Sequence, residues 1–242
     1  MRNKSRIHHN LNQIKLIFAA RDSCMNGDKL EVTGILLDLD GTIVDSKEAY
    51  IETARVAFGT IGQEMLNEEI ALEIPKRLEQ GLTISDFTNG ETKKFLRAYF
   101  STFYSITKQK TKLMPNVSAT LDILSQKAKL ALITMRYAPK QIIINELESF
   151  GVSKYFSYVV TAMDTCKPKP SPEALIACMQ ALNVESNDCI IAGDSINDVR
   201  AGKAAGAGTV ALLSGLFHSE ELIKEKPDLI LNDVNALPNY IE

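Results

Sequence analysis

The chain has 242 residues, 45% of them hydrophobic and 24% charged, with a net charge of -3. This is enough for one large domain or a domain carrying a modest insert. The charge excludes a global field that would draw the chain to nucleic acid or a membrane surface, so an anionic ligand has to be met by locally placed cations.

The four cysteines, Cys24, Cys166, Cys178 and Cys189, lack the paired spacing of zinc or redox sites and read as scattered reduced thiols. Leu16–Ala20, behind Lys4 and Arg6, is shorter than the roughly 7–15-residue apolar core of a signal peptide. No run reaches the ~18 apolar residues of a membrane span. A cytoplasmic monomer or homodimer is expected, with a small-molecule partner and neither nucleic acid nor membrane.

In chain order, residues 1–30 read as a polar N-terminal extension with adjacent His8, His9 and Asn10. Gly34–Gly41 (GILLDLDG) is an apolar run ending in carboxylates and a glycine, the pattern of a parallel strand covered on both faces. Residues 47–112 break the pattern and read as helices throughout, over Lys47–Phe58, Glu68–Leu78 and Glu91–Ile106, punctuated by glycines.

Alternation resumes with strands at Lys129–Thr134, Tyr158–Thr161, Cys189–Ala192 and Gly208–Leu213, and a last edge strand at Leu229–Leu231. Helices are expected near Pro139–Phe150, Pro172–Leu182 and Ile196–Ala205. Strands alternating with helices imply an α/β fold with a Rossmann-like parallel sheet and helices on both faces. The expected organisation is a core of residues 31–46 and 113–242 and an inserted all-helical cap of 47–112, placed as a lid would be.

In such sheets ligands bind beyond the carboxyl ends of the strands, and four strand ends carry complementary chemistry. Asp38 ends the first strand and Asp40 follows in a turn that Gly41 can open. Two carboxylates this close repel, and a hard dication is a common way to hold both. Gly193-Asp194-Ser195-Ile196-Asn197-Asp198 supplies two more acids, and such an oxygen-ligand set fits Mg²⁺. Thr134 could hold a phosphoryl oxygen. In Lys167-Pro168-Lys169-Pro170-Ser171-Pro172, prolines stiffen a loop that carries a cation.

Together, Asp38-Leu-Asp-Gly-Thr-Ile-Val-Asp-Ser46, Thr134, the lysine-proline run and Gly193–Asp198, continuing to Ala201-Gly202 and Ala205-Gly206, resemble the haloacid dehalogenase-like hydrolase superfamily. The chain is most similar to the phosphoglycolate phosphatase-like branch, over roughly residues 33–235. The resemblance implies a Mg²⁺-dependent phosphatase acting on a small phosphate monoester, phosphoglycolate-like or a sugar phosphate.

On the same ground Asp38 is the expected nucleophile, forming an aspartyl-phosphate, and Asp40 the general acid and then base. Thr134 and Lys167 are expected to grip the phosphoryl oxygens. The metal is expected on Asp38, Asp194 and the main-chain carbonyl of Asp40, with Asp198 holding a metal-bound water or orienting Lys167. Asp198 can alternatively be read as a first-turn helix acid.

Lys169 reads as a surface lysine, and Arg136, two residues after Thr134, as either a substrate-facing cation or an exposed side chain. Lys76, Arg77 and Arg97 are candidate substrate binders in the insert. A dehalogenase would not need Asp40, since halide leaves without a proton. A phosphomutase, pyrophosphatase or phosphonatase of the same superfamily, and a non-catalytic binding protein keeping the fold, are the alternatives.

Overall fold

In the computed structural model of the protein, described for residues 29–65 and 67–242, every residue of the first strand, β1 (Gly34–Asp38), is buried. An uninterrupted apolar run has no face to give to water, so it needs a neighbour on each edge and cover on each side. β1 pairs in parallel with β4 (Lys129–Ile133) on one edge and β6 (Cys189–Gly193) on the other, with Gly34 opposite both Lys129 and Cys189.

With β5 (Phe156–Val160), β7 (Gly208–Leu212) and β8 (Leu229–Leu231) this makes a six-stranded sheet in the order β5-β4-β1-β6-β7-β8. The chain steps outward from β1 through β4 to β5, then crosses to the other side for β6, β7 and β8. That reversal places the sheet's ligand crevice at the carboxyl ends of β1, β4 and β6.

Two units divide the described residues: one takes in those up to Thr42 together with Asn116–Glu242, the other Ile43–Pro115. The second unit is helical, with α1 (Lys47–Thr60), α2 (Glu68–Glu79) and α3 (Thr92–Lys110). On α3, Phe95, Tyr99 and Phe103 recur every four residues and are buried, the spacing that puts side chains on one helix face. Phe95 meets Phe58 edge-on at 4.8 Å between ring centroids, and Phe103 stacks on Tyr50 at 5.3 Å. Ala54, Ala57, Ala71 and Ile74 complete this core.

The expectation of an insert without strands needs one correction. Lys112–Leu113 forms β3, paired antiparallel with β2 (Val44–Asp45). Two-residue strands are too short to show any period in the sequence.

In the sheet-bearing unit, α4 (Val117–Lys127), α5 (Lys140–Ser149), α6 (Glu173–Leu182) and α7 (Ile196–Ala205) connect the strands. α6 buries Ala174, Leu175, Cys178, Met179 and Leu182 against Leu36, Ala131, Ile133 and Val160 of three strands. At about 25 cal/mol per Å² of apolar surface removed from water, a fully buried leucine of this kind contributes roughly 2 kcal/mol. A short helix, α8 (Ser219–Lys224), is capped by His218, whose main-chain N–H donates to Glu221 Oε2 at 2.9 Å. Among the described residues no helix is long and apolar enough to cross a membrane. The expectations for residues 1–28, including His8, His9 and Cys24, fall outside the described residues.

Candidate active site

The strand ends deliver the acids. Asp38 is the last residue of β1, buried at 6% exposure, and Asp194 follows β6 at the same exposure. Asp198 sits in the first turn of α7, where Ser195 is the N-cap. The Ser195 hydroxyl accepts from Asn197 N–H, and Asp198 Oδ2 accepts from Ser195 N–H at 3.1 Å. The reciprocal cap satisfies donors a helix start otherwise leaves open and fixes one oxygen of Asp198. Ligand-capable oxygens of Asp38, Asp194 and Asp198 then lie within 4.8 Å of one another.

Glycines make room for them. Gly41 has φ +80°, and a Cβ there would stand 2.7 Å from the Asp194 carboxylate. A Cβ on Gly193 would come within 2.2 Å of Asp198 Oδ2, and one on Gly215 within 1.5 Å of Asp194 Oδ2. The loop after β7 supports the same acid: Leu216 N–H donates to Asp194 Oδ2 at 3.1 Å, and Ser214 Oγ donates to the Gly41 carbonyl at 2.6 Å.

The lysine beside these acids is not Lys167. Lys167 is exposed, and its main-chain N–H donates to Glu173 Oε2 at 3.1 Å. Lys169, read from the sequence as a surface residue, is buried at 3% exposure. Its Nζ donates to Asp38 Oδ1 and to Asp198 Oδ1, both at 2.5 Å.

Residues 167–172 contain Lys-Pro-x-Pro in two overlapping registers, beginning at Lys167 and at Lys169. The turn closed by Ser171 N–H on the Pro168 carbonyl, with Pro172 as the N-cap of α6, selects the second. The helix start was the available signal: the register whose second proline abuts α6 carries the inward lysine.

Burial acts on both partners of this contact. It pushes the Asp38 carboxyl well above the usual carboxylate range; Lys169 opposes the shift, while the Asp198 and Asp40 charges add to it. Burial would by itself lower the Lys169 ammonium, but Asp198 and Asp38 more than reverse this, and its pKa is raised. We take Lys169 as the firmly charged member, since two carboxylates contact it.

Asp40 stands apart from the acid triad. Its side chain, 17% exposed, is gripped by Arg136, with Nε 2.8 Å from Oδ2 and Nη2 2.6 Å from Oδ1. Arg136 is therefore neither a substrate-facing cation nor a solvent-exposed side chain: it is buried between Asp40 and Glu146 of α5. Thr134, just past β4, is buried; its N–H donates to the Val160 carbonyl and its Oγ1 accepts from Arg136 N–H at 3.1 Å. In the helical unit, Arg77 is held by Glu73 and Asp86 and lies over Phe87, Lys76 is buried, and Arg97 is exposed.

The donor set fits a hard dication. Asp38, Asp40, Asp194, Asp198 and Glu146 are five carboxylates against two cations, Lys169 and Arg136. A phosphate ester could not enter such a field unless further positive charge were present, and oxygen-only ligands suit Mg²⁺ or a cation like it. Cys178 and Cys189 are buried and offer no competing soft-metal site.

A family profile for haloacid dehalogenase-like hydrolases matches residues 35–212. The phosphoglycolate phosphatase of Salmonella choleraesuis (strain SC-B67) is 30% identical over 236 residues, covering 87% of this chain and 93% of that protein. The phosphoglycolate phosphatase of Escherichia coli (strain K12) is 28% identical, covering 86% and 91%.

Among solved structures, a haloacid dehalogenase-like hydrolase from Streptococcus pneumoniae superimposes with a TM-score of 0.73 at 18% identity, covering 87% of this chain and 98% of that one. A hydrolase of the same superfamily from Geobacter sulfurreducens gives 0.68 at 20% identity, covering 90% and 100%. At these identities the structural likeness carries the fold, and the profile and curated relatives carry the kinship. The chain belongs to the haloacid dehalogenase-like hydrolases, in their phosphoglycolate phosphatase-like branch, and is a hydrolase of the phosphatase kind.

Proposed function

We propose that the protein is a Mg²⁺-dependent phosphatase that hydrolyses a small phosphate monoester through a phosphorylated Asp38. One observation carries this reading: Asp38, Asp194 and Asp198 converge within 4.8 Å, with Lys169 Nζ 2.5 Å from the first and last. Bound Mg²⁺, held by Asp38 and Asp194, would supply positive charge to the nucleophile and the phosphoryl oxygens. Lys169, fixed by Asp198, adds its own charge, and Thr134 offers a hydroxyl.

Asp38 attacks phosphorus in line, so that a carboxylate O–P bond forms as the ester O–P bond breaks. Asp40 gives a proton to the departing alkoxide, then takes one from the water that attacks the aspartyl-phosphate. The second attack breaks the Asp38–phosphorus bond, releases phosphate and restores the carboxylate. Kinship to phosphoglycolate phosphatases supports phosphoglycolate or a comparably small ester as the substrate.

The test is a turnover screen of the purified protein with and without Mg²⁺, covering phosphoglycolate, hexose phosphates, nucleotides, pyrophosphate and a phosphonate. Mg²⁺-dependent release of phosphate from a small monoester is expected, and Asp38→Asn is expected to reduce it to background while circular dichroism stays unchanged. Near-normal turnover by that variant would rule out the covalent route. A preference for the phosphonate or for pyrophosphate would replace the monoester reading.

A further inference from the structure

We propose that Arg136 is a positioning residue for Asp40, holding its carboxyl group so that proton transfer to the leaving group starts from one defined geometry. The proposal rests on the phosphatase reading above and deepens it.

The observation is a three-member chain, buried at Arg136 and Glu146, running from α5 to the β1 loop. Glu146 Oε2 accepts from Arg136 Nη1 at 2.6 Å, and the other edge of the guanidinium donates to both oxygens of Asp40. The Arg136 main chain is pinned on both sides, its N–H donating to Thr134 Oγ1 at 3.1 Å and its carbonyl accepting from Ala162 N–H at 3.2 Å. The side chain therefore leaves a backbone already fixed to two strand ends.

A two-point fork fixes the plane of a carboxylate, which a single-point lysine contact cannot do. Glu146 holds the opposite edge of the fork and keeps the guanidinium from swinging away. Stability is a weak explanation for such an arrangement. Replacing buried ion triads by packed apolar residues is often neutral or favourable, whereas this one directs a two-point fork at the acid that must move a proton. Asp40, with 17% of its side chain exposed, is the member able to leave the grip.

The experiment is a double-mutant cycle read on two esters with saturating Mg²⁺: 4-nitrophenyl phosphate, whose leaving group departs without a proton, and a small alkyl phosphate such as phosphoglycolate or glycerol 2-phosphate. Arg136→Lys keeps a cation against Glu146 and removes the fork. It is expected to lower kcat/KM on the alkyl ester, which covers only the steps up to release of the alcohol and leaves out hydrolysis of the shared aspartyl-phosphate, roughly tenfold or more, within the range general acids contribute. The kcat/KM for the aryl ester should change by less than about threefold. Asp40→Asn should show the same leaving-group preference, and adding Arg136→Lys to it should cost less than about twofold more.

Equal losses on the two esters, or losses that multiply in the double variant, overturn the proposal and leave Arg136 a structural ion pair. If Arg136→Lys does not fold, Arg136→Met combined with Glu146→Gln removes both charges together and enters the same cycle. Absence of Mg²⁺-dependent turnover by the parent on either ester overturns the phosphatase reading and this proposal with it. An active parent whose ester ratio ignores Arg136 overturns this one alone.

Discussion

Lys167 and Lys169 are separated by one proline and have opposite environments, so substituting each in turn is a sharp test of the site. Lys167→Ala removes an exposed side chain whose main-chain contact to Glu173 survives, and turnover is expected within about twofold of the parent. Lys169→Met strips the cation from two buried carboxylates. Its kcat should fall by about 10²-fold or more, and its stability by about 3 kcal/mol, because the acids are left facing each other; steady-state kinetics and urea melts check the two.

Gly215 makes a complementary case. A methyl there would overlap Asp194, so Gly215→Ala should weaken Mg²⁺ activation tenfold or more without touching a ligand, read by titrating turnover against Mg²⁺. The sequence marked the acids readily, since carboxylates at the end of an apolar strand are costly without a use. It did not place Lys169, Arg136 or Gly215, whose roles depend on loop register and on partners distant in the chain, such as Asp38, 131 residues from Lys169.

Among the elements, those with a strong period were plain in advance. Ile196–Ala205 and Leu229–Leu231 have the expected bounds, and the other anticipated strands and helices differ by a residue or two, except α3, which runs on past the expected Ile106 to Lys110. Three things were missed: the β2–β3 ribbon, the short α8, and α4, whose buried Val117, Leu121 and Leu124 make a short stripe in a helix that starts at Asn116 with φ +62°. That αL start lacks a side-chain cap, so the usual start signal was missing.

Within the helical unit, Glu48 at the start of α1 ties down the end of α3 and β3, accepting from Lys110 and Lys112 at 2.9 Å each. These lysines hold its carboxyl down at about 2, against an ordinary 4.5. A depressed acid stabilises the fold above its unfolded value and loses that contribution as pH falls through the folded one. Glu48→Gln should therefore be less stable than the parent near pH 6, with the gap closing between about pH 4.5 and 2 and shrinking in high salt. Denaturant midpoints across pH are the measurement.

The two core cysteines give a second test at this scale. Burial pushes Cys178 and Cys189 up to about 12, whereas Cys166 is exposed. Mass-mapped alkylation at pH 7.5 should label Cys166 in the native protein, and Cys178 and Cys189 only after unfolding.

Taken over the whole chain, a net charge of -3 is no guide to an anionic substrate. The charge that matters is the local surplus of acids, and it sets a thermodynamic expectation. A dication that binds the folded site and not the unfolded chain stabilises the fold by about 2.7 kcal/mol at a hundredfold excess over its dissociation constant. Mg²⁺ should therefore raise Tm by several degrees, and Asp194→Asn should remove most of that rise in a calorimetric scan.

The position of β1 has a consequence for how the chain is made. Its strand is central, yet Gly34 waits for Lys129 on one edge and Cys189 on the other, so during synthesis a largely apolar ribbon emerges long before anything can pair with it. Closing contacts across such separations is slow, and an unpaired strand is a template for clumping with other nascent chains. The helical unit, whose core runs only from Ala54 to Tyr99, has its partners close at hand. Ribosome-released fragments that stop before Cys189 should accordingly depend on chaperones far more than the finished polypeptide does.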